Sequence, residues 1–149
     1  MTKSATTVET IATSCIAGRL RLLNRVVTNL YDDALRPLGI KLSQGSILAV
    51  TAKLGVARPA EVCDILELDT STLSRTVERM VKNGWLEILS GEDARQHPFQ
   101  LTVQGKQLME KAIPAWEQAQ AQARKLLGED GQRLLDTAIK RIKSANIER

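Results

Sequence analysis

The sequence predicts a mainly α fold carrying one small β-hairpin, and three observations lead there. Apolar residues recur at steps of three and four along most of the chain, the spacing of helical stripes. Aromatic residues are scarce, Tyr31, Trp85, Phe99 and Trp116 being all of them, so the core is aliphatic and suits packed helices. Only between Trp85 and Thr102 does the pattern change, to two short apolar runs around a polar segment with a glycine and adjacent charges.

Each element has local reasons. The stretch to about Glu9 is rich in Ser and Thr and is expected to fray. A long first helix then runs towards Arg36, with Ile16, Leu20, Leu23, Val27, Leu30 and Ala34 on one stripe, which Leu22 and Val26 widen. A helix apolar over so much of its girth is buried in its own domain or faces a partner subunit. Pro37 and Gly39 stop it. Ser43 is read as the N-cap of a second helix carrying Ile47, Leu48, Val50 and Thr51 and closed by Gly55. Pro59 opens a short third helix to about Leu66. Asp69 caps a fourth, Thr70 to Asn83, with Leu73, Val77, Met80 and Val81 inward, and Gly84 ends it in the left-handed region. Strands at Trp85 to Leu89 and Phe99 to Thr102 form the hairpin. Thr102 caps a fifth helix reaching Leu127, which Pro114 is expected to kink. Gly128 breaks the chain before a last helix, Gln132 to Ile147. Two short helices joined by a tight turn and followed by a hairpin describe a winged helix-turn-helix, here with long N- and C-terminal helices outside it.

Composition bounds the function without locating it. The 149 residues suit one domain, which needs no metal or disulfide staple. Hydrophobic residues at 43% and charged residues at 26% describe a soluble globular protein. The net charge of +4 permits a polyanionic partner. From Asp69 to Arg95, however, Arg75, Arg79, Lys82 and Arg95 face Asp69, Glu78, Glu87, Glu92 and Asp93, and the excess sits elsewhere, at Arg19, Arg21, Arg25, Arg36 and Lys41. Cys15, Cys63 and His97 have no metal-ligand spacing, so neither metal nor cofactor is expected. No apolar run approaches the roughly 20 residues of a membrane helix. The first ten residues lack the layout of an export signal. The expected location is the reducing cytoplasm. Glu61, Asp64, Glu67 and Asp69 form no catalytic set without a second histidine, a nucleophile motif or a phosphate loop, so an enzyme is not expected.

The segment from Arg58 to Gly105 carries a resemblance. It contains the helix-turn-helix pair, the run Asp69-Thr70-Ser71-Thr72-Leu73-Ser74-Arg75, the close Asn83-Gly84-Trp85-Leu86, the tip Asp93-Ala94-Arg95, and Leu101-Thr102 leading to Gly105. In order and spacing these resemble the DNA-binding core of the MarR family of transcriptional regulators. The similarity extends weakly over nearly the whole chain, including Tyr31 to Ile40.

The physical reading of the residues agrees. The fourth helix turns its apolar side inward and leaves Ser71, Thr72, Ser74, Arg75, Glu78, Arg79 and Lys82 outward. A major groove admits one helix, short hydroxyls let it approach base edges and phosphates, and the Arg75 fork can pair two acceptors on guanine. Ser43, Ser71, Thr72, Ser74, Arg75 and Arg79 are the expected contacts here, and Arg95 at the hairpin tip is expected in a minor groove. The resemblance implies that Asp93 orients Arg95 through an ion pair. A solvated charged face and an idle surface loop are the alternatives for the two segments.

The resemblance also implies a homodimer on a pseudo-palindromic operator of double-stranded DNA, with recognition helices about one turn, roughly 34–36 Å, apart. It makes one domain of 1–149, with dimerisation helices at 10–40 and 128–147, a DNA-binding core at 41–105 and a connecting helix at 102–127. First and last helices interleave in the family; here Ile16, Leu20, Leu23, Val27, Leu30, Leu134, Leu135, Ala138 and Ile142 would form that interface. A repressor released by a small-molecule effector of unknown identity is the implied function. Two alternatives stand beside it: a protein-docking module without DNA, and a peroxide sensor using a first-helix cysteine with tyrosine partners. Cys15 lies roughly 24 Å along one helix from Tyr31, the only tyrosine, and Cys15 and Cys63 are read as small packing residues.

Overall fold

The computed structural model describes residues 3–91 and 96–147. Its elements are α1 (Lys3–Ser14), α2 (Ile16–Leu35), a 3-10 turn (Arg36–Leu38), α3 (Leu42–Leu54), α4 (Pro59–Leu66), α5 (Thr70–Lys82), β1 (Leu86–Ile88), β2 (Phe99–Leu101) and α6 (Val103–Ile147). They divide into two compact units, Asp32–Gln118 and Met1–Tyr31 with Ala119–Arg149.

The Asp32–Gln118 unit is a winged helix-turn-helix. Its core joins Ile47 and Leu48 of α3, Val62 of α4, Leu73, Val77 and Met80 of α5, and Leu86, Phe99 and Leu101 of the hairpin. Strands β1 and β2 pair antiparallel with Leu86 opposite Leu101 and Ile88 opposite Phe99. Ala57 and Phe99 exchange backbone hydrogen bonds at 2.8 and 2.9 Å, which ties the segment between α3 and α4 to the hairpin. Gly39 and Gly84 adopt left-handed conformations at the two helix ends where the sequence places them. Thr102 caps α6 as expected, accepting the Gly105 N–H at 3.0 Å while its hydroxyl donates to the Gly84 carbonyl at 2.5 Å.

Ser43 is not the cap of α3. The helix begins one residue earlier, at Leu42, whose N–H is taken by the Asp32 carboxylate at 2.7 Å, and the Gln44 side chain accepts the Lys41 N–H at 3.1 Å. A carboxylate ten residues upstream does what a local hydroxyl was expected to do. Non-helical dihedrals within α6 occur at Gly128 (φ 67°, ψ 175°) and not at Pro114, so the break falls at the glycine.

In the other unit, α1 replaces the expected fraying end. Between Lys3 and Ser14 there is no Gly or Pro, and Thr7, Thr10 and Thr13 each donate a hydroxyl to the carbonyl four residues back. The expected single first helix is interrupted at Cys15, whose carbonyl accepts the Arg19 N–H at 3.0 Å. Cys15 is exposed, against the expectation that it packs; Cys63 is half-buried against the core of the other unit. Among the described residues of this unit only Tyr31, Ala119 and Ala123 are buried. The Tyr31 hydroxyl donates to Gln120 Oε1, and burial raises the phenol pKa, with Arg124 pulling the other way. No helix among the described residues is long and apolar enough to cross a membrane.

Candidate nucleic-acid interface

Helix α5 sorts its side chains strictly. Leu73, Val77 and Met80 are buried against the core. Turning about 100° per residue, the helix then carries Ser71, Arg75, Glu78 and Lys82 on the stripe opposite, and all four are exposed. Ser74 and Arg79 lie on its flanks, exposed; Thr72 lies on a flank and is half-buried. Arg75, Glu78, Arg79 and Lys82 make no ion pair with a described residue. Their charged ends are therefore available to a partner, and along the helix one cation, Arg75, precedes the single acid and two, Arg79 and Lys82, follow it.

The N-terminus of α5 is closed by Asp69. Its Oδ1 accepts the Thr72 N–H at 2.8 Å and the Ser71 hydroxyl at 2.7 Å, and its Oδ2 accepts the Thr72 hydroxyl at 2.6 Å. The Thr72 hydroxyl first, then the Ser71 hydroxyl and the Thr72 N–H, hold the carboxyl well below the usual carboxylate range, and Arg75 adds to this. Two hydroxyls expected to be free for DNA are thus engaged within the protein.

The turn from α4 to α5 holds Glu67 at φ 52°, a left-handed conformation uncommon for a residue with a Cβ. Arg58, just before α4, donates from Nε to Gln96 Oε1 at 3.0 Å and so reaches the returning arm of the hairpin. Between α5 and the hairpin runs a groove of about 440 Å³ lined by Pro59, Leu73, Ser74, Glu78, Ile88 and His97 among others. The described surface next to α5 is therefore a convex helix beside a shallow furrow and a β-ribbon, with no group of three or more His, Cys, Asp or Glu residues suited to a metal among the described residues.

The expected contact residues are not all gathered. Ser71, Ser74, Arg75 and Arg79 share the exposed side of α5; Ser43 is exposed on the first turn of α3, a different helix. Asp93 and Arg95 lie outside the described residues. The long-range links, Asp32 to α3, Ala57 to Phe99 and Arg58 to Gln96, were not foreseen. None has a periodicity, because each joins single residues distant in the chain.

The geometry agrees with relatives found by comparison. The MarR family model matches residues 38–96. The HTH-type transcriptional regulator YwoH of Bacillus subtilis is 29% identical over 87 residues, 58% of this chain and 64% of that one. The multiple antibiotic resistance protein MarR of Salmonella typhimurium is 30% identical over 96 residues, 63% of this chain and 67% of that one. The chain thus spans about two thirds of the curated relatives it matches. Among solved structures, the M. tuberculosis transcriptional regulator MosR in complex with DNA superposes with a TM-score of 0.78 at 29% identity, covering 91% of this chain and 99% of that one. With a winged helix-turn-helix whose matched segment contains α3, α4, α5 and β1, this chain belongs to the MarR family.

Proposed function

We propose that the protein is a sequence-specific, double-stranded DNA-binding transcriptional regulator that acts as a homodimer, with α5 in the major groove. The observation that carries this reading is the exposed stripe Ser71, Arg75, Glu78 and Lys82, opposite the buried face of a helix that stands beside a hairpin. A groove-entering helix needs its base-reading groups on the side away from its own core, and Arg75 sits there with no ion pair among the described residues. Arg79, Ser74 and Ser43 are exposed and are assigned to phosphate contacts. Arg95 is assigned to the minor groove and Asp93 to its orientation. The relative MosR, solved with DNA, supports the class of partner.

The dimer is supported by what the outer helices leave uncovered. Ile16 is 74% exposed, Leu134 69% and Ile142 60%, and Leu20 and Ala138 are exposed as well, while Leu23, Val27, Leu30 and Leu135 are half-covered. Exposed apolar stripes of this kind mark an interaction site, and each such side chain contributes roughly 1.5–3 kcal/mol on full burial. A second copy supplies the same surface.

Within this class the protein acts as a repressor whose affinity is lowered by a small apolar effector. A recess of about 360 Å³ lined by Leu35, Leu42, Ala49, Met109, Ile113 and Trp116 has the size and polarity of a small-molecule site. An effector acts only through tighter binding to a form that holds DNA less well. The test is selection of bound fragments from genomic DNA, then binding by Arg75→Ala. The expected result is a pseudo-palindromic sequence for the native protein. Loss of the Arg75 contact should cost about 1–3 kcal/mol and relax one base position. Failure to retard any DNA at low salt would leave a protein-docking module instead.

A further inference from the structure

Along the outward stripe of α5 the hydrogen-bond polarity is nearly fixed. Arg75 and Lys82 only donate, and the Glu78 carboxylate only accepts. A free serine hydroxyl does either, as Ser74 can, whose Oγ makes no hydrogen bond among the described residues. Ser71 cannot. An ionised carboxylate has no proton to give, so in both hydroxyl contacts to Asp69 the hydroxyl is the donor: Ser71 Oγ to Oδ1 at 2.7 Å and Thr72 Oγ1 to Oδ2 at 2.6 Å. The backbone N–H of Thr72, at 2.8 Å from Oδ1, pins the carboxylate in place. What exposed Ser71 shows to a partner is lone pairs alone.

We propose that Asp69 sets the base preference at the N-terminal end of α5. By taking the Ser71 proton it makes that hydroxyl an obligate acceptor, which takes the exocyclic amine of cytosine or adenine. It rejects the acceptor edges of guanine and thymine. Phosphate oxygens also only accept, so Ser71 in this state is not a phosphate contact. Asp69 is a positioning residue that acts through Ser71, while Thr72 braces Asp69. One helical turn on, Arg75 supplies the complementary donor fork, and the two read an amine-bearing base near a guanine. This rests on the DNA-binding reading above and deepens it.

The experiment is selection from randomised duplex DNA with the full chain, comparing the native protein with Asp69→Gly, Ser71→Ala and Ser71→Thr. Glycine is tolerated at an N-cap but has no side-chain oxygen to take the Ser71 proton, so it frees that hydroxyl to donate as well as accept. The native protein should show cytosine or adenine at one position per half-site, favoured roughly tenfold, the worth of one hydrogen bond. Asp69→Gly and Ser71→Ala should both lose that preference at that position, and Ser71→Thr should keep it. Which of the two amine bases is enriched identifies the partner. A uniform gain in affinity for Asp69→Gly with the preference intact would reduce Asp69 to a repelling charge and overturn the proposal. An unchanged preference in Ser71→Ala would overturn it too, even if Asp69→Gly failed to fold. If the native protein enriched no sequence, the DNA-binding reading itself would fall, which separates that failure from this one.

Discussion

Replacing Gly105 by alanine should loosen the hairpin from the helix that follows it. Gly105 is buried on the first turn of α6, against the carbonyl of Trp85, the same carbonyl that accepts the Thr102 N–H at 3.1 Å. A Cβ on residue 105 would lie 3.0 Å from the Trp85 carbonyl carbon and closer still to its oxygen. The oxygen is the tighter of the two contacts and a Cβ does not approach a heavy atom within about 3 Å, so the two backbones must separate by about 1 Å or more. No rotamer change relieves a clash with main chain. Overpacking of this kind costs about 1–3 kcal/mol, and stretching the Thr102–Trp85 hydrogen bond forfeits part of another 0.5–1.5 kcal/mol or so. Against this, alanine gains about 1 kcal/mol over glycine inside a helix. The net expectation is a loss of about 0.5–3 kcal/mol, read in urea titrations as a lower midpoint at unchanged slope. On heating it should lower Tm by roughly 5 °C for a chain of this size. A Gly105→Ala protein as stable as the native one would refute the close approach of α6 to the Trp85 carbonyl.

Other consequences are equally direct. Glu67→Gly relieves the left-handed strain between α4 and α5 and should raise stability by about 0.5–1 kcal/mol; a lower urea midpoint would contradict the assigned turn. Asp69 has a depressed folded pKa, so the folded state binds fewer protons than the unfolded chain, and the stability Asp69 contributes, present above its unfolded value of about 3.9, is lost as pH falls below it. Asp69→Asn should therefore show a shallower fall in Tm over that acid range, and parallel native and variant profiles would exclude the cap's contribution. Phe99 is fully buried where β2 meets Ala57, and Phe99→Ala should cost about 3–5 kcal/mol in denaturant unfolding. Leu23→Asp places an unpaired charge in the proposed subunit interface and should yield monomers in sedimentation; an intact dimer would move the interface elsewhere.

What the sequence made legible was whatever is local or periodic. Asp69 as a cap, Pro59 at a helix start, Gly84 at a helix end and Thr102 before α6 were all readable, because each acts on backbone groups within three residues. The inward and outward faces of α5 followed from 3.6-residue spacing. The cap of α3 was misassigned because Asp32 reaches it across a turn that has no regular spacing. The helical state of Lys3 to Ser14 departs from the expected fraying because the threonine hydroxyls bond backwards along the helix, which composition does not show. On α5 the outward position of Ser71, Ser74, Arg75 and Arg79 is legible in the sequence, but proton placement is not. The sequence shows Ser71 and Thr72 as two hydroxyls, and only the fold shows that both donate to one carboxylate.

The most direct measurement is footprinting of the native protein on its selected operator, combined with sedimentation of the complex. Two chains per duplex should protect two half-sites whose centres are about 10–10.5 base pairs apart, or a multiple of that, with major-groove guanines shielded in each and exposed again in Arg75→Ala. A single protected half-site bound by one chain at full affinity, or guanines shielded equally in Arg75→Ala, would contradict the paired recognition helices.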